Sequence, residues 1–165
     1  MKKKYSLIFL LVFICIAIIY MSMLIGKKIE KERVSQIIPQ FPIYNLDGTK
    51  FLTNKNFKWN DRIVFCYYNP ECEYCISFSE KLKKYNSILD STTFLMVSNA
   101  QDSLVNYFIK KSGLSLLKNV HFISDKNDTI YNYFNIKSIP TYFIYKNKKL
   151  VAKFSGIVKI ETLTQ

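Results

Sequence analysis

The feature that most constrains the fold is a pair of cysteines at the junction between a predicted strand and a predicted helix. The apolar segment Arg62–Tyr68 stops at Asn69 and Pro70, and Cys72 and Cys75 follow directly. Beyond them, apolar residues recur at steps of three and four, which indicates one face of a helix. These residues are Cys75, Phe78, Leu82, Tyr85 and Leu89. Both cysteines therefore fall on the first turn of a helix that follows a buried strand.

This position favours sulfur chemistry. The free backbone N–H groups and the dipole at a helix start stabilise a thiolate, which is the reactive form of cysteine. Two cysteines separated by two residues can also close a reversible disulfide. A strand, a CxxC motif and a helix in this order form a more specific signal than CxxC alone. The pattern predicts a thiol–disulfide site at Cys72 and Cys75.

The other cysteines and the charge exclude two classes of protein. The chain of 165 residues has four cysteines, of which Cys15 lies in an apolar leader and Cys66 in the predicted strand, so no disulfide framework is indicated. A hydrophobic core must hold the domain together instead. The net charge is +12, but the lysines are scattered over several predicted elements. Because no basic stripe with interleaved aromatic residues is visible, nucleic-acid binding is not predicted.

The N-terminal segment predicts a membrane anchor. Residues 5–25 carry no charged side chain and follow three lysines; at a rise of about 1.5 Å per residue they span a bilayer core of about 30 Å. We therefore predict a cytoplasmic stub at 1–4, a transmembrane helix at 5–25, a charged linker at 26–38 and a folded domain at 39–165. A cleaved signal peptide is one alternative, but the segment contains no small-x-small cleavage site. A lipoprotein signal is another, but it would need small residues before Cys15, where the chain has Phe13 and Ile14.

The orientation of this anchor is less constrained by the sequence, since basic residues lie on both sides of the span. The positive-inside rule counts basic residues and does not decide between the two orientations. The lysines at 2–4 and the predicted redox chemistry favour a single-pass protein whose domain lies on the extracytoplasmic, periplasmic side.

Strands and helices alternate through the rest of the chain. A hairpin is predicted around Asp47-Gly48, because alternating apolar arms flank this turn dipeptide. The further predicted elements are strands at Thr92–Ser98 and Val120–Ser124, helices at Asp102–Ser112 and Asn127–Phe134, a hairpin over Tyr142–Phe154 and a short terminal helix at most after Gly156. This order indicates an α/β fold with a mixed sheet that is covered by helices on both faces.

Three segments resemble the thioredoxin fold, and more closely the ResA/TlpA-like branch of membrane-anchored thiol–disulfide oxidoreductases. They are the hairpin Phe41–Gly48, the motif Asn69–Cys75 and the segment Tyr133–Thr141. The resemblance covers about residues 39–160 and implies a thioredoxin-like mixed sheet flanked by helices, with an N-terminal β-hairpin. It further implies that Cys72 is the exposed nucleophile, Cys75 the buried resolving thiol and Pro140 a cis-proline facing both sulfurs.

The same resemblance implies the ligands and partners. It implies that the Cys72–Cys75 disulfide is the redox-active group, so neither a separate cofactor nor a metal ion is expected at the site. An extended substrate peptide is expected to contact Tyr68, Pro70, Ile139 and Pro140, since a cis X–Pro bond normally marks a tight functional turn. The expected partners are exported proteins that contain disulfides, together with an unidentified electron donor in the membrane.

Two departures from the family bear on the chemistry. Cys66 stands where thioredoxins carry a buried acid; we expect a small apolar core residue, with a third redox thiol as the alternative. Glu71 and Glu73 flank Cys72 and are expected to tune its acidity, because nearby negative charges disfavour a thiolate. The motif contains no cation to offset them. A reductase is therefore predicted rather than an oxidase.

Two other functions remain open at this point. A copper metallochaperone would use Cys72, Cys75 and His121, although a lone strand histidine is more typical of a core or edge residue. A peroxiredoxin-like peroxidase would carry a threonine three residues before its cysteine, where this chain has Asn69.

Overall fold

A computed structural model describes residues 11–26, 38, 42–51, 62–85, 89 and 91–164. The chain divides into two compact units, Met1–Gln36 and Ile37–Gln165. In the first unit, residues 11–26 are helical and their side chains are exposed. Residues 5–10 of the predicted anchor and residues 27–37 of the predicted linker lie outside the described residues.

Among the described residues, no helix combines the length and the apolar character needed to cross a bilayer.

The described part of the second unit forms a seven-stranded mixed sheet. Its strands are β1 (Ile43–Asn45), β2 (Lys50–Phe51), β3 (Arg62–Tyr67), β4 (Thr92–Ser98), β5 (Val120–Ser124), β6 (Thr141–Lys146) and β7 (Lys149–Ser155). They lie in the order β2-β1-β5-β4-β3-β6-β7. β3, β4 and β5 are parallel, and the remaining pairs are antiparallel. The mixed sheet and the N-terminal hairpin predicted from the sequence are confirmed.

Four described helices cover the sheet. They are α1 (Glu73–Lys84), α2 (Asp102–Ser112), α3 (Thr129–Tyr133) and α4 (Ile160–Thr164), and a 3-10 turn at Leu114–Leu116 follows α2. α2 ends before Gly113, which has a φ of 67°. This angle lies in the left-handed region, which glycine adopts without a steric penalty. α3 is shorter than the predicted helix Asn127–Phe134, because Asp128 has a left-handed backbone and the helix begins only after it.

The side chains of β3 alternate between two buried clusters on opposite faces of the sheet. Val64, Cys66 and Tyr68 point to the first cluster, together with side chains of α1, α2 and α4. Ile63, Phe65 and Tyr67 point to the second cluster, which includes side chains of α3 and of the N-terminal hairpin. Because both faces of β3 are covered, its sequence is a continuous apolar run rather than an alternating one.

Candidate active site

The pairing of β3 with β6 brings the two predicted parts of the site together. These strands are antiparallel, and Tyr67 at the end of β3 lies opposite Thr141 at the start of β6. The segment after Tyr67 and the segment before Thr141 therefore leave the sheet at the same point. There the sulfur of Cys72 lies 4.0 Å from the carbonyl oxygen of Ile139. The Ile139–Pro140 peptide bond is cis, as predicted.

A short turn leads from β3 into α1 and fixes the position of Cys72. The Asn69 side-chain oxygen accepts a hydrogen bond of 2.8 Å from the Glu71 N–H. The Asn69 backbone carbonyl accepts one of 3.1 Å from the Cys72 N–H. Cys72 is the N-cap residue of α1, and its side chain makes no capping hydrogen bond to the first turn. The sulfur thus stays available at the positive end of the helix dipole.

The two motif cysteines are both free thiols, but their environments differ. Cys72 is half-buried, whereas Cys75 is only 1% exposed. Burial raises the pKa of the Cys75 thiol to about 12; the Asn69 backbone N–H acts against this rise, and a hydrogen bond with Cys72 adds to it. Cys75 is therefore a neutral thiol near physiological pH, and Cys72 is the sulfur that an external molecule can reach.

A third thiol lies beneath this pair. Cys66 is fully buried in the same cluster as Cys75. Burial raises the pKa of the Cys66 thiol well above its ordinary value, and the nearby Cys75 and Cys72 raise it further. Cys66 is thus held as a neutral side chain in the core, near the sulfur pair.

The structure brings only some of the predicted substrate-contacting residues to the surface. Tyr68 is 1% exposed and points into the core, which leaves its side chain no surface for a substrate. Pro70 is buried and lines a groove of about 200 Å³ between α1 and α2. Ile139 is half-buried and packs against both core clusters. Glu71 and Glu73 are exposed, so water screens their charges.

A second surface lies beside the proline turn, and no pattern in the sequence indicates it. The Gly156 N–H donates a hydrogen bond of 2.8 Å to the Pro140 carbonyl, which holds the segment after β7 against the proline turn. Ile157 in this segment is 72% exposed, and Tyr74 on α1 is 57% exposed. A pocket of about 60 Å³ lies between them, and its lining also includes Tyr142. Exposed apolar side chains next to the proline turn favour contact with a polypeptide.

His121 lies away from the motif cysteines. Its ring packs on Phe51 with centroids 5.4 Å apart, and Phe51 and the neighbouring Ile123 belong to the second cluster. Burial lowers the pKa of His121. Cys72 and Cys75 pack with the first cluster, on the opposite face. Across the described ranges, no group of three histidine, cysteine or acidic side chains is arranged to hold a metal ion.

The different environments of Cys72 and Cys75 predict selective alkylation of the reduced protein. Iodoacetamide should modify Cys72 at least about tenfold faster than Cys75 near neutral pH, because Cys75 is buried and its thiol holds its proton. The slow reaction of Cys75 should accelerate about tenfold per pH unit up to about pH 10, as its thiolate fraction rises. Peptide mass spectrometry measures both sites. In denaturant the two rates should converge; equal rates in the native protein would contradict the assignment of roles.

Sequence comparisons do not place the chain in a family. No protein-family model matches it, and no curated protein matches it by sequence.

Solved structures, in contrast, resemble the chain over most of its length. DsbF of Mycobacterium tuberculosis has a TM-score of 0.65 and 17% identity, covering 79% of this chain and 92% of its own. A secreted disulfide oxidoreductase of the same organism, homologous to Escherichia coli DsbE, has a TM-score of 0.63 and 18% identity, covering 81% and 94%. A thiol–disulfide oxidoreductase of Bacteroides fragilis has a TM-score of 0.63 and 19% identity, covering 78% and 95%. The structural neighbours thus include thiol–disulfide oxidoreductases, and the domain has the thioredoxin-like fold that they share.

Proposed function

We propose that this protein is a thiol–disulfide oxidoreductase that reduces disulfides in exported proteins. The observation that carries the proposal is the placement of two free thiols at the start of α1, with Cys72 facing the Ile139–Pro140 turn. One sulfur is accessible and the other is protected, as a two-step exchange requires. The same chemistry is supported by structural neighbours that are described as disulfide or thiol–disulfide oxidoreductases.

The exchange proceeds in two displacements. The Cys72 thiolate attacks one sulfur of the client disulfide, the client S–S bond breaks, and the second client sulfur leaves as a thiolate that takes a proton from water. Cys75 then loses its proton and attacks the Cys72 sulfur, which releases the first client sulfur as a second thiolate. The client gains two electrons and two protons, and the protein is left with a Cys72–Cys75 disulfide. No cofactor beyond this disulfide takes part.

The client is held beside Cys72 by two surfaces. The half-buried Ile139, next to the buried Pro140, forms one side, and Ile157 and Tyr74 form the other. An extended polypeptide fits between them with its disulfide at Cys72 and its apolar side chains against Ile157 and Tyr74.

The charge of the motif supports the reducing direction. Glu71 and Glu73 are exposed and screened by water, so their contribution is small, but its sign is clear: formation of the disulfide removes a negative charge from beside them, which favours the oxidised motif and hence electron donation to the client. Continued turnover requires that an electron donor re-reduce the pair. We place this donor in the membrane, since it must deliver electrons to the side on which exported proteins fold.

The N-terminal segment supports attachment to that membrane. Residues 5–25 are uncharged, and the helical residues 11–26 expose large apolar side chains. Lysines 2–4, together with the proposed redox chemistry, favour a cytoplasmic N-terminus and a domain outside the cytoplasm.

Removal of the resolving thiol should trap clients. In the Cys75→Ala variant, the first displacement still occurs but the second cannot, so clients should accumulate as mixed disulfides with Cys72. Non-reducing electrophoresis of membranes, followed by mass spectrometry, identifies them. The double variant Cys72→Ala, Cys75→Ala is the matched control and should trap none. If Cys75→Ala also traps none and the wild type does not reduce insulin, the proposed function is wrong.

Equilibration with glutathione should give a reduction potential nearer to that of thioredoxin, about −270 mV, than to that of DsbA, about −120 mV. The Glu71→Gln, Glu73→Gln double variant should have a higher, more oxidising reduction potential than the wild type. The two negative charges that disfavour a thiolate at Cys72 are then absent, so the reduced motif becomes more stable. A wild-type potential near that of DsbA would contradict the reductase assignment while leaving the exchange chemistry intact.

The full-length chain should remain in the membrane fraction after extraction at alkaline pH, because an apolar helix is not released by a change in charge. Deletion of residues 1–26 should move the protein to the supernatant while the Cys72–Cys75 pair stays redox-active. Release of the full-length chain by alkali would contradict anchoring.

A further inference from the structure

Lysines that are scattered along the sequence lie together at one end of the folded domain. β3 begins at Arg62 and ends at Tyr67, beside the cysteine motif. The parallel strands β4 and β5 begin at the Arg62 end, and the turn between β6 and β7 lies there as well, because Lys146 pairs with Arg62. This end of the sheet, which we name the basic end, is separated from the cysteine motif by the length of β3, about 17 Å.

The basic end carries nine exposed lysines. α1 and α2 both end there, since a Cβ atom on Gly113, directly after α2, would lie 3.0 Å from the ammonium nitrogen of Lys83. Two acidic side chains, Glu80 of α1 and Glu161 of α4, lie on the helices near this end, and Glu161 accepts a hydrogen bond from the Tyr85 hydroxyl. The lysines are Lys81, Lys83 and Lys84 in the last turn of α1, Lys110 and Lys111 in the last turn of α2, Lys118 before β5, and Lys146, Lys148 and Lys149 around the turn between β6 and β7.

Helix dipoles explain only part of this pattern. A lysine in the last turn of a helix is favoured by the negative end of the dipole, which accounts for the lysines of α1 and α2 but not for the four outside the helices. The dipole also does not explain Leu116, which lies between Lys111 and Lys118 in the sequence and is 82% exposed. Its neighbours Leu114 and Leu117 are buried, so the turn projects Leu116 alone. An exposed apolar side chain among cations is typical of a surface that binds anionic lipid.

The folded domain also begins at the basic end. The Ile38 N–H donates a hydrogen bond of 3.3 Å to the carbonyl of Lys148, in the turn between β6 and β7. The uncharged segment 5–25, which we assign to the membrane, ends 13 positions before Ile38 in the sequence. Because that many extended residues reach at most about 45 Å, attachment of the segment would hold the basic end near the bilayer.

We propose that the basic end binds the anionic headgroups of the membrane to which the chain is attached, with Leu116 inserted among them. Lysine ammonium groups attract the lipid phosphates, and each lysine near the surface adds to the attraction. Leu116 contributes apolar contact with the lipid, which a free phosphate ion could not provide. This inference rests on the membrane attachment in the proposed function and is independent of its redox chemistry.

This docking would give the active site a defined direction. Cys72 and the Ile139–Pro140 turn lie at the opposite end of the sheet from the basic end. With the basic end on the headgroups, Cys72 faces away from the lipid and toward soluble polypeptides. The exposed side chains of Ile157 and Tyr74 then stay clear of the bilayer and remain available to a client.

Lysine acetylation of the full-length chain in nanodiscs tests the proposal. One set of discs contains phosphatidylcholine alone, and the other contains about one quarter phosphatidylglycerol, which supplies the anionic charge. N-acetoxysuccinimide is added at low ionic strength, and peptide mass spectrometry gives the acetylation rate at each lysine. Lys84 and Lys118 should react at least about threefold more slowly in the anionic discs. Sodium chloride at about 1 M should remove this difference, because the Debye length falls to about 3 Å.

Two lysines at the opposite end of the sheet serve as internal references. Lys50 pairs with Tyr44, which lies opposite Ser124 at the end of β5, and Lys137 precedes the cis-proline turn. Both are exposed, and their rates should differ by less than about 1.5-fold between the two kinds of disc, because docking leaves them far from the headgroups. A general effect of the anionic lipid on the reagent would slow all four lysines equally.

Matched variants separate the lysines from Leu116. Lys110→Gln, Lys149→Gln removes two charges from the basic end and should reduce the slowing at Lys84 and Lys118 by at least about half. Lys50→Gln, Lys137→Gln removes the same charge from the opposite end and should leave that slowing unchanged. Leu116→Ser should also reduce it, whereas Ile157→Ser, which removes an exposed aliphatic side chain beside the proline turn, should not. All the replaced side chains are exposed, so the variants should fold.

Three results would each overturn the inference. Lys84 and Lys118 could react equally in both kinds of disc, which would favour an acidic protein as the partner of the basic end. Lys50 and Lys137 could be slowed as much as the basic end, or the slowing could persist at high salt. A chain that does not enter the discs would refute the membrane attachment and this inference with it, while reduction of insulin tests the redox chemistry separately.

Discussion

The antiparallel register between β3 and β6 is the constraint on which the site depends. Tyr67 lies opposite Thr141, so the chain leaves one strand at the point where it enters the other. Cys72 and Ile139 are 67 positions apart, yet this register places the sulfur of one 4.0 Å from the carbonyl oxygen of the other. A slip of one residue in β3 would turn Cys66 and Tyr68 to the opposite face and remove them from the sulfur pair.

The two faces of the sheet contribute different parts of the site. The first cluster holds Cys75 and packs against Cys72, and the second cluster supports the approach to the proline turn. Asp125 strengthens this second side, since its carboxylate accepts hydrogen bonds from two backbone N–H groups of α3 and from the Tyr67 hydroxyl. Further along, Phe134 stacks on Phe143 with centroids 4.1 Å apart. Because Ile139 packs against both clusters, the turn opposite Cys72 is fixed from both faces.

Much of this arrangement could be predicted from local patterns. The apolar run of β3, the helical spacing after Cys75 and the glycine at the end of α2 each have a local physical cause, and each predicted element is present. The helix after Cys75 is shorter than predicted, because it ends at Lys84, before Tyr85 and Leu89. The burial of Tyr68 could not be predicted in this way, because it depends on Phe108 and Phe122 from two other elements. Ile157 was missed for the same reason. Nothing near it indicates function until the pairing of Thr141 with Ser155, and the hydrogen bond from Gly156, place it beside Pro140.

The difference between the two thiols follows from their positions on one helix. Cys72 is the N-cap, outside the first complete turn, and Cys75 is three residues further on, where the helix already faces the sheet. This spacing keeps the two side chains within hydrogen-bonding distance of each other while the sheet covers only the second. Were Cys75 as accessible as Cys72, either could attack a client and the order of the two displacements would be lost. Burial sets that order, but it also places the second thiolate where a charge is costly.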